Sequence, residues 1–345
     1  MKKQNVSMID LRSDTVTRPT PKMLQAMIVA ETGDDVFGED PTLNAFQDKV
    51  AKMFGMEAGL FVPSGTMSNQ LGINVLTEAG DEILIEEKGH IFNYETGGAS
   101  FLSGVQVHPL KGKNGKLSVE LLQDMIRGKY DWEPRTKVVC LENSTNKGGG
   151  DCYYKEELRA IKKFADSNDL FVHLDGARIW NAITETGIEP QFFGEIADTI
   201  SVCFSKGLGA PVGSMLLSSE EKITKARRLR KMWGGGMRQA GLLAAAADYA
   251  IENHWPLLKE DHRRAREVAD TITECHRLSV DLKGVCTNIL LFETLSENAS
   301  SAISKLQEKG VYMTQFGPTT IRATFHFQAG DEDAEEVKKV LKENF

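Results

Sequence analysis

The sequence predicts an α/β protein: a large domain built on a mostly parallel β-sheet, plus a small C-terminal α+β domain. Short continuous apolar runs alternate with amphipathic segments from about Thr42 onward, the pattern of a sheet covered by helices on both faces. Polar residues gather at or just after the ends of those runs, where ligands bind in such sheets. Beyond Leu278 the pattern changes to short strands interspersed with helices. The 345-residue length suits one large domain with a smaller one attached.

The elements follow in order. Thr42–Phe54 is a helix by periodicity, Gly59–Pro63 a short strand, Thr66–Glu78 a helix and Glu82–Glu86 a strand. Gln106–Leu110, Lys137–Leu141, Leu170–Asp175 and Thr199–Phe204 continue the strands, with helices at Ser118–Arg127 and Lys155–Asn168. Gly213–Ser218 resumes as a strand after a Gly-rich turn. Gln239–Ile251 and His254–His276 read as helices. Val280–Leu282, Asn288–Glu293, Val311–Phe316 and Thr320–Phe325 read as strands. Ala302–Lys309 is a helix stopped by Gly310, and Asp333–Glu343 closes the chain with Val337, Val340 and Leu341 on one face. The expected division is residues 1–250 for the large, ligand-binding domain, with 1–40 as an N-terminal arm and active-site segment, and 251–345 for the small domain.

Composition excludes several classes. Hydrophobic residues at 41% and charged residues at 26% are ordinary for a soluble enzyme, and the net charge of −8 argues against nucleic acid as the main partner. The basic run Lys225–Lys231 reads as the cationic end of a helix, compatible with reaching an anionic ligand. Five cysteines without a C-x-x-C pair point to a reduced, cytoplasmic protein. The N-terminus has two lysines but no apolar stretch behind them, so no signal peptide is expected. No apolar run approaches the ~20 residues of a membrane span.

The most informative residue is Lys206. An apolar run, Thr199-Ile-Ser-Val-Cys-Phe, delivers it into the Gly-rich turn Lys206-Gly-Leu-Gly-Ala-Pro-Val-Gly213. Upstream, a second run, Leu170-Phe-Val-His-Leu-Asp175, ends on an acid followed by Gly176-Ala-Arg178. A lysine able to approach a cofactor closely, with an acid at a neighbouring strand end, is what pyridoxal phosphate requires: the amine forms the Schiff base and the carboxylate keeps the pyridine nitrogen protonated.

Other residues converge on the same edge. Ser64-Gly-Thr66 opens a helix after a strand. Gly65 allows close backbone approach and Thr66 supplies a hydroxyl, so the loop serves either a phosphate monoester or a plain helix cap. It matches neither the nucleotide P-loop nor the dinucleotide fingerprint. His90 follows a strand with aromatics beside it, which suits stacking on a heteroaromatic ring. Arg178 and Arg322 are candidates to hold a carboxylate by bidentate hydrogen bonds. Arg322 lies in an otherwise apolar strand, where an unpaired charge is costly, so it needs a partner, either substrate or protein. No His/Cys spacing resembles a zinc motif, and no metal is expected.

These residues resemble the pyridoxal-phosphate-dependent threonine aldolases, of the aspartate aminotransferase-like fold type I. The similarity runs from Met8 to the C-terminus. It is carried by Asp10-Leu-Arg-Ser-Asp-Thr-Val-Thr-Arg-Pro, Gly33-Asp-Asp-Val-Phe-Gly, Pro63-Ser-Gly-Thr-Met-Ser-Asn, Asp175-Gly-Ala-Arg, Ser205-Lys-Gly-Leu-Gly-Ala-Pro-Val-Gly-Ser and Gly234-Gly-Gly-Met-Arg-Gln. The resemblance implies that Lys206 is the Schiff-base lysine, Asp175 the partner of the ring nitrogen and His90 the stacking residue. It places Ser64, Gly65 and Thr66 at the phosphate and Arg178 beside the cofactor, with Ser13, Arg178 and Arg322 on the substrate carboxylate. Lys231 and Arg238 would complete the site from a neighbouring subunit, implying at least a dimer and, for the family, a tetramer.

One position departs from the family pattern. Many members carry a Thr-His pair after Glu-Asn, and that histidine is associated with the substrate β-hydroxyl. Here the loop reads Glu142-Asn-Ser-Thr-Asn-Lys147, with Thr145 at the histidine position, so Thr145 is the expected contact to the β-substituent. Phe37 stands where some members have tyrosine. The function implied is cleavage of L-threonine or L-allo-threonine to glycine and an aldehyde. The rivals are a β-eliminating lyase, or another fold-type-I enzyme acting on a different amino acid, and a non-catalytic assembly protein that kept the fold.

Overall fold

The computed structural model describes residues 8–128 and 130–345. The N-terminal stretch, in which no signal peptide is expected, lies mostly outside them. The central sheet has seven strands: β1 (Ala58–Val62), β2 (Asp81–Glu86), β3 (Gln106–Leu110), β4 (Arg135–Glu142), β5 (Phe171–Gly176), β6 (Thr199–Cys203) and β7 (Ser214–Ser218). Their order across the sheet is β1-β7-β6-β5-β4-β2-β3, and all run parallel except β7, which is antiparallel to both neighbours. All seven strands foreseen in the sequence are present.

Strand alternation sorts the side chains between two layers. Val139, Leu141, Val172, Leu174, Ile200 and Val202 join the larger core on one face. Ile83, Ile85, Val138, Cys140 and Leu216 join a second core on the other. On β5 the residues out of phase with Val172 and Leu174 are His173 and Asp175, so both point into the layer of helix Gly65–Asn74. That helix lies close because Gly72 has no side chain: a Cβ there would stand 2.6 Å from Cε1 of His173.

The small domain is an antiparallel sheet of β8 (Leu278–Ser279), β9 (Ile289–Thr294), β10 (Thr314–Gln315) and β11 (Thr320–Thr324), in the order β10-β11-β9-β8. Helices Ala299–Glu308 and Asp331–Asn344 accompany it. Its core takes in Ala265, Val268 and Ile272 of helix Leu258–Thr273, while Leu258 belongs to the large-domain core. The changeover therefore falls inside that helix. Ile9 and Leu11 also pack in the small-domain core, and Ile9–Asp10 pairs in parallel with Val311–Tyr312. Ile9 to Leu11 thus pack with the small domain.

Several elements differ from expectation for local reasons. The Ser118–Arg127 helix shortens to Val119–Gln123, because Arg127 turns back to the sheet, donating from Nη2 to Glu82 (2.9 Å) and from its backbone N–H to Thr136 (3.2 Å). Val280–Leu282 is not a strand: β8 ends at Ser279, and Asp281 caps a 3-10 turn at Leu282–Gly284 through the Lys283 N–H. Val311–Phe316 divides into two strands serving different sheets, with Met313 buried between them. The basic run does end a helix, Glu220–Met232.

Candidate active site

The lysine is placed by a loop pinned from four directions. Strand β6 is fully buried and ends at Cys203, whose carbonyl accepts from the Trp180 indole at 2.9 Å. Thr17 donates its hydroxyl to the Lys206 carbonyl at 3.0 Å, Gly209 donates its N–H to the same carbonyl at 2.7 Å, and His254 holds the Leu208 carbonyl at 2.7 Å. Gly209 has φ +79°, a conformation that favours glycine. Lys206 Nζ donates to Cys203 Sγ at 3.4 Å. Gly65 opens the facing helix, and a Cβ there would come within 2.7 Å of Cys203 Sγ and 3.9 Å of Lys206 Nζ. Absence of a side chain at residue 65 is therefore what leaves a cradle beside the amine.

Asp175 is buried at the end of β5, opposite Glu142 of β4 and Ser201 of β6. Its Oδ1 accepts the Ala177 N–H and its Oδ2 accepts the Asn69 amide, both at 3.0 Å. Asn69 in turn presents Oδ1 to His173 Nε2 at 3.2 Å, and His173 Nδ1 faces the Thr199 hydroxyl at 2.9 Å. Burial lowers the His173 pKa to about 4, so this ring is a neutral strut beneath the acid.

His90 begins the short helix His90–Tyr94. Its backbone N–H donates to Glu142 Oε2 at 2.8 Å, its Nδ1 lies 2.9 Å from Glu95 Oε1, and its ring centroid is 5.4 Å from that of Tyr94. Burial opposes a charge on the ring, but the Glu95 hydrogen bond and the charges of Asp175, Glu95 and Glu142 outweigh it and raise the pKa. Burial and the Asp175 charge push Glu142 up to about 7.

The arginines occupy the opposite wall. Arg178 is clasped by buried Asp14, with Nε to Oδ2 at 2.8 Å and Nη2 to Oδ1 at 2.6 Å. Burial would raise the Asp14 pKa, but Arg178 dominates and holds it at about 2. Arg322 donates from Nη1 to the Asn146 amide oxygen at 2.6 Å and from Nη2 to the Arg12 carbonyl at 2.9 Å, and it lies over the Phe316 ring at 4.2 Å. Among the described residues it forms no ion pair with a carboxylate. Burial and the neighbouring Arg178 charge lower its pKa to about 10.

A cavity of about 400 Å³ lies between these groups, its lining including Lys206, His90, Ser13, Arg178 and Arg322. Five residues expected at the site thus share one cavity, with Asp175 directly behind His90. Ser64 and Thr66 stand exposed at the start of the facing helix, and Ser64 Oγ also caps that helix by accepting the Met67 N–H at 3.2 Å. Others are not brought in. Thr145 is buried and donates its hydroxyl to the Asn114 carbonyl at 3.1 Å, so its side chain is turned away from the cavity; its neighbour Asn146 lines the cavity instead. Lys231 is exposed on its own helix, and Arg238 pairs with Asp34 at 2.9 Å. Phe37 is also exposed. Sequence reasoning missed Asp14, Asn69, Glu95 and Glu142. The only signal for them was an acid or amide amid residues that become buried, which periodicity does not distinguish from a surface polar residue.

The chain matches the family described as β-eliminating lyase over residues 10–294. The chain belongs to that family. It is 38% identical to low-specificity L-threonine aldolase 1 of Arabidopsis thaliana over 94% of this chain and 93% of that one. It is 38% identical to the low specificity L-threonine aldolase of Escherichia coli (strain K12), over 96% and 97% of the two chains. A solved structure of Leishmania major threonine aldolase superposes with a TM-score of 0.85 at 19% identity, covering 97% and 98%. A serine palmitoyltransferase of Sphingomonas wittichii shares the fold at a TM-score of 0.77 and 18% identity, covering 97% and 86%. The fold of this β-eliminating lyase family member is fold type I, as the resemblance to the threonine aldolases had implied.

Proposed function

We propose that this protein is a pyridoxal-phosphate-dependent aldolase that cleaves L-threonine or L-allo-threonine to glycine and acetaldehyde. The observation carrying this reading is the single cavity that joins Lys206 and His90 to the paired arginines and Ser13. The relatives named as low-specificity L-threonine aldolases support the choice of substrate class.

The residues fit the cofactor. Lys206 would hold its aldehyde carbon, Asp175 its ring nitrogen and His90 its ring face. Ser64, Gly65 and Thr66 would hold its phosphate, at a helix N-terminus whose Gly65 leaves room a Cβ would fill. When bound, pyridoxal phosphate supplies a sink for the electron pair released at the substrate Cα.

The chain's own groups do the rest. Arg322, which has no carboxylate partner among the described residues, binds the substrate carboxylate together with Ser13 and the remaining face of Arg178. Fixing the carboxylate leaves rotation about Cα to decide which bond breaks. His90 accepts the β-hydroxyl proton. The Cα–Cβ bond then opens, the aldehyde carbonyl forms, and the glycine carbon takes up a proton before release.

We extend the reading to a cytoplasmic homo-oligomer, with a dimer as the minimal unit and a tetramer as the full assembly. Support comes from Ile28, Val29, Phe37 and Met232, each 70–74% exposed though apolar. Further support is that Lys231 and Arg238 are both exposed and lie off their own chain's cavity. Among the described residues no helix is long and apolar enough to cross a membrane.

The deciding experiment incubates the purified holoenzyme with each threonine diastereomer and analyses the products. Glycine with acetaldehyde is expected; ammonia with a 2-oxo acid would instead establish β-elimination and overturn the aldolase reading.

A further inference from the structure

Behind His90 lies a carboxylate that the mechanism above does not use. The Glu95 side chain is completely buried, whereas that of His90 is 32% exposed. Glu95 Oε1 accepts from Asn69 Nδ2 at 2.8 Å and Oε2 from Gln70 Nε2 at 2.6 Å, so amide donors already fix its orientation. The His90 Nδ1 contact at 2.9 Å is then one more donor to an acceptor group, with the ring proton on Nδ1. Among the described residues His90 Nε2 has no hydrogen-bond partner, and His90 lines the cavity. Asn69 uses its other amide hydrogen on Asp175 at 3.0 Å, so a single amide spaces the two carboxylates. One polar atom from each of His90, Glu95 and Asp175 lies within 4.8 Å of the others.

We propose that Glu95 is a positioning residue that holds His90 as the Nδ1–H tautomer, presents Nε2 to the substrate as proton acceptor, and balances the imidazolium formed there. The role of Nε2 rests on the aldolase reading. In the step, the β-hydroxyl O–H bond breaks and an Nε2–H bond forms. The oxygen's electron pair becomes the second bond of the aldehyde carbonyl as the Cα–Cβ pair departs toward Cα. The Nδ1 proton stays in place throughout, so Glu95 gains and loses nothing.

The charged and titratable groups around His90 come from several packed elements, Glu86 at the end of β2 and Tyr94 on its own helix among them. Glu95 lies on the turn after its own helix, Glu142 ends β4, Asp175 ends β5, and Lys206, Arg178 and Arg322 line the same cavity. Among the described residues only Glu95 hydrogen-bonds the ring; Glu142 accepts from the backbone N–H. The three acids together outweigh burial in raising the His90 pKa. Because the acceptor must be the neutral ring, activity falls as pH drops through the His90 midpoint. Removing the Glu95 charge moves that midpoint, and the acidic limb, to lower pH.

The test uses ¹⁵N-histidine-labelled holoenzyme, with the His90 signals identified by their absence in His90→Asn. Wild-type His90 is expected as the Nδ1–H tautomer. In Glu95→Gln its titration midpoint should fall, and the acidic limb of kcat should fall with it. kcat at the optimum should drop roughly 10²-fold, toward the loss expected when a general base is mis-set, while KM stays within about twofold. Glu95→Asp keeps the charge and should keep the midpoint above that of Glu95→Gln; it also serves if Glu95→Gln does not fold. An unchanged His90 midpoint and tautomer in Glu95→Gln, or equal midpoints in the two variants, overturns the proposal. The NMR titration needs no substrate, so failure of the wild type to release glycine from threonine counts separately, against the aldolase reading and the acceptor role of Nε2.

Discussion

Asp14 and Arg178 form a two-pronged ion pair, with both carboxylate oxygens of a fully buried acid on Nε and Nη2 of a guanidinium that keeps one edge on the cavity. Asn288 of the small domain adds a third hydrogen bond to Asp14 at 3.2 Å. The arginine expected to grip a substrate is therefore aimed by an acid from the N-terminal segment, in a contact that also ties in the small domain.

Removing one member of this pair strands the other charge in the interior. Asp14→Ala should lower unfolding free energy by about 3–5 kcal/mol, measured by denaturant titration of the holoenzyme. Threonine KM should rise because Arg178 loses its orientation. An unchanged denaturation midpoint would mean that solvent or another group reaches Arg178.

The same pair sets an acid limit. The Asp14 pKa is about 2 in the folded protein against a model-peptide value of 3.8. At falling pH the unfolded chain takes up the proton first, so the pair's contribution is intact above about pH 4 and is lost between about pH 4 and 2. Wild-type stability should decline more steeply across that window than that of Asp14→Asn. Parallel pH profiles for the two proteins would refute the linkage.

Lys206 is the lysine whose amine reaches the cradle beside Gly65. Lys206→Ala should lose the protein-bound cofactor absorbance band and all steady-state turnover. A purified variant that still works at the parent rate would remove Lys206 from the mechanism.

Asp175→Asn preserves shape and should retain cofactor, but an amide cannot stabilise a protonated ring nitrogen. The expected loss in kcat is on the order of 10²-fold or more, as for other preorganised charge stabilisers. Equal kcat at equal cofactor occupancy would make Asp175 a structural acid holding Asn69 and the Ala177 N–H.

Thr145 bonds the Asn114 carbonyl from a buried position. Thr145→Ala should cost about 1 kcal/mol of stability, the usual worth of one hydrogen bond. It should leave the ratio of threonine to allo-threonine cleavage unchanged. A shifted ratio, measured with the coupled aldehyde assay, would show that the loop reaches the β-substituent after all.

The sequence alone determined the sheet and its chemistry-bearing edge. Apolar runs such as Leu170-Phe-Val-His-Leu-Asp175 fix a buried strand and the side on which its terminal acid emerges, because strand alternation is local. The Gly-rich turn after Lys206 is likewise written in adjacent residues. Tertiary structure decided the partners. Asp14 meets Arg178, Asn69 bridges Asp175 and Glu95, and Arg322 rests on Asn146, across separations that no spacing rule encodes. It also decided that Thr145 turns outward from the cavity and that Val311–Phe316 divides between two sheets. Those outcomes depend on which groups from distant segments arrive to satisfy a buried charge or an open backbone edge, and only the packed chain brings them together.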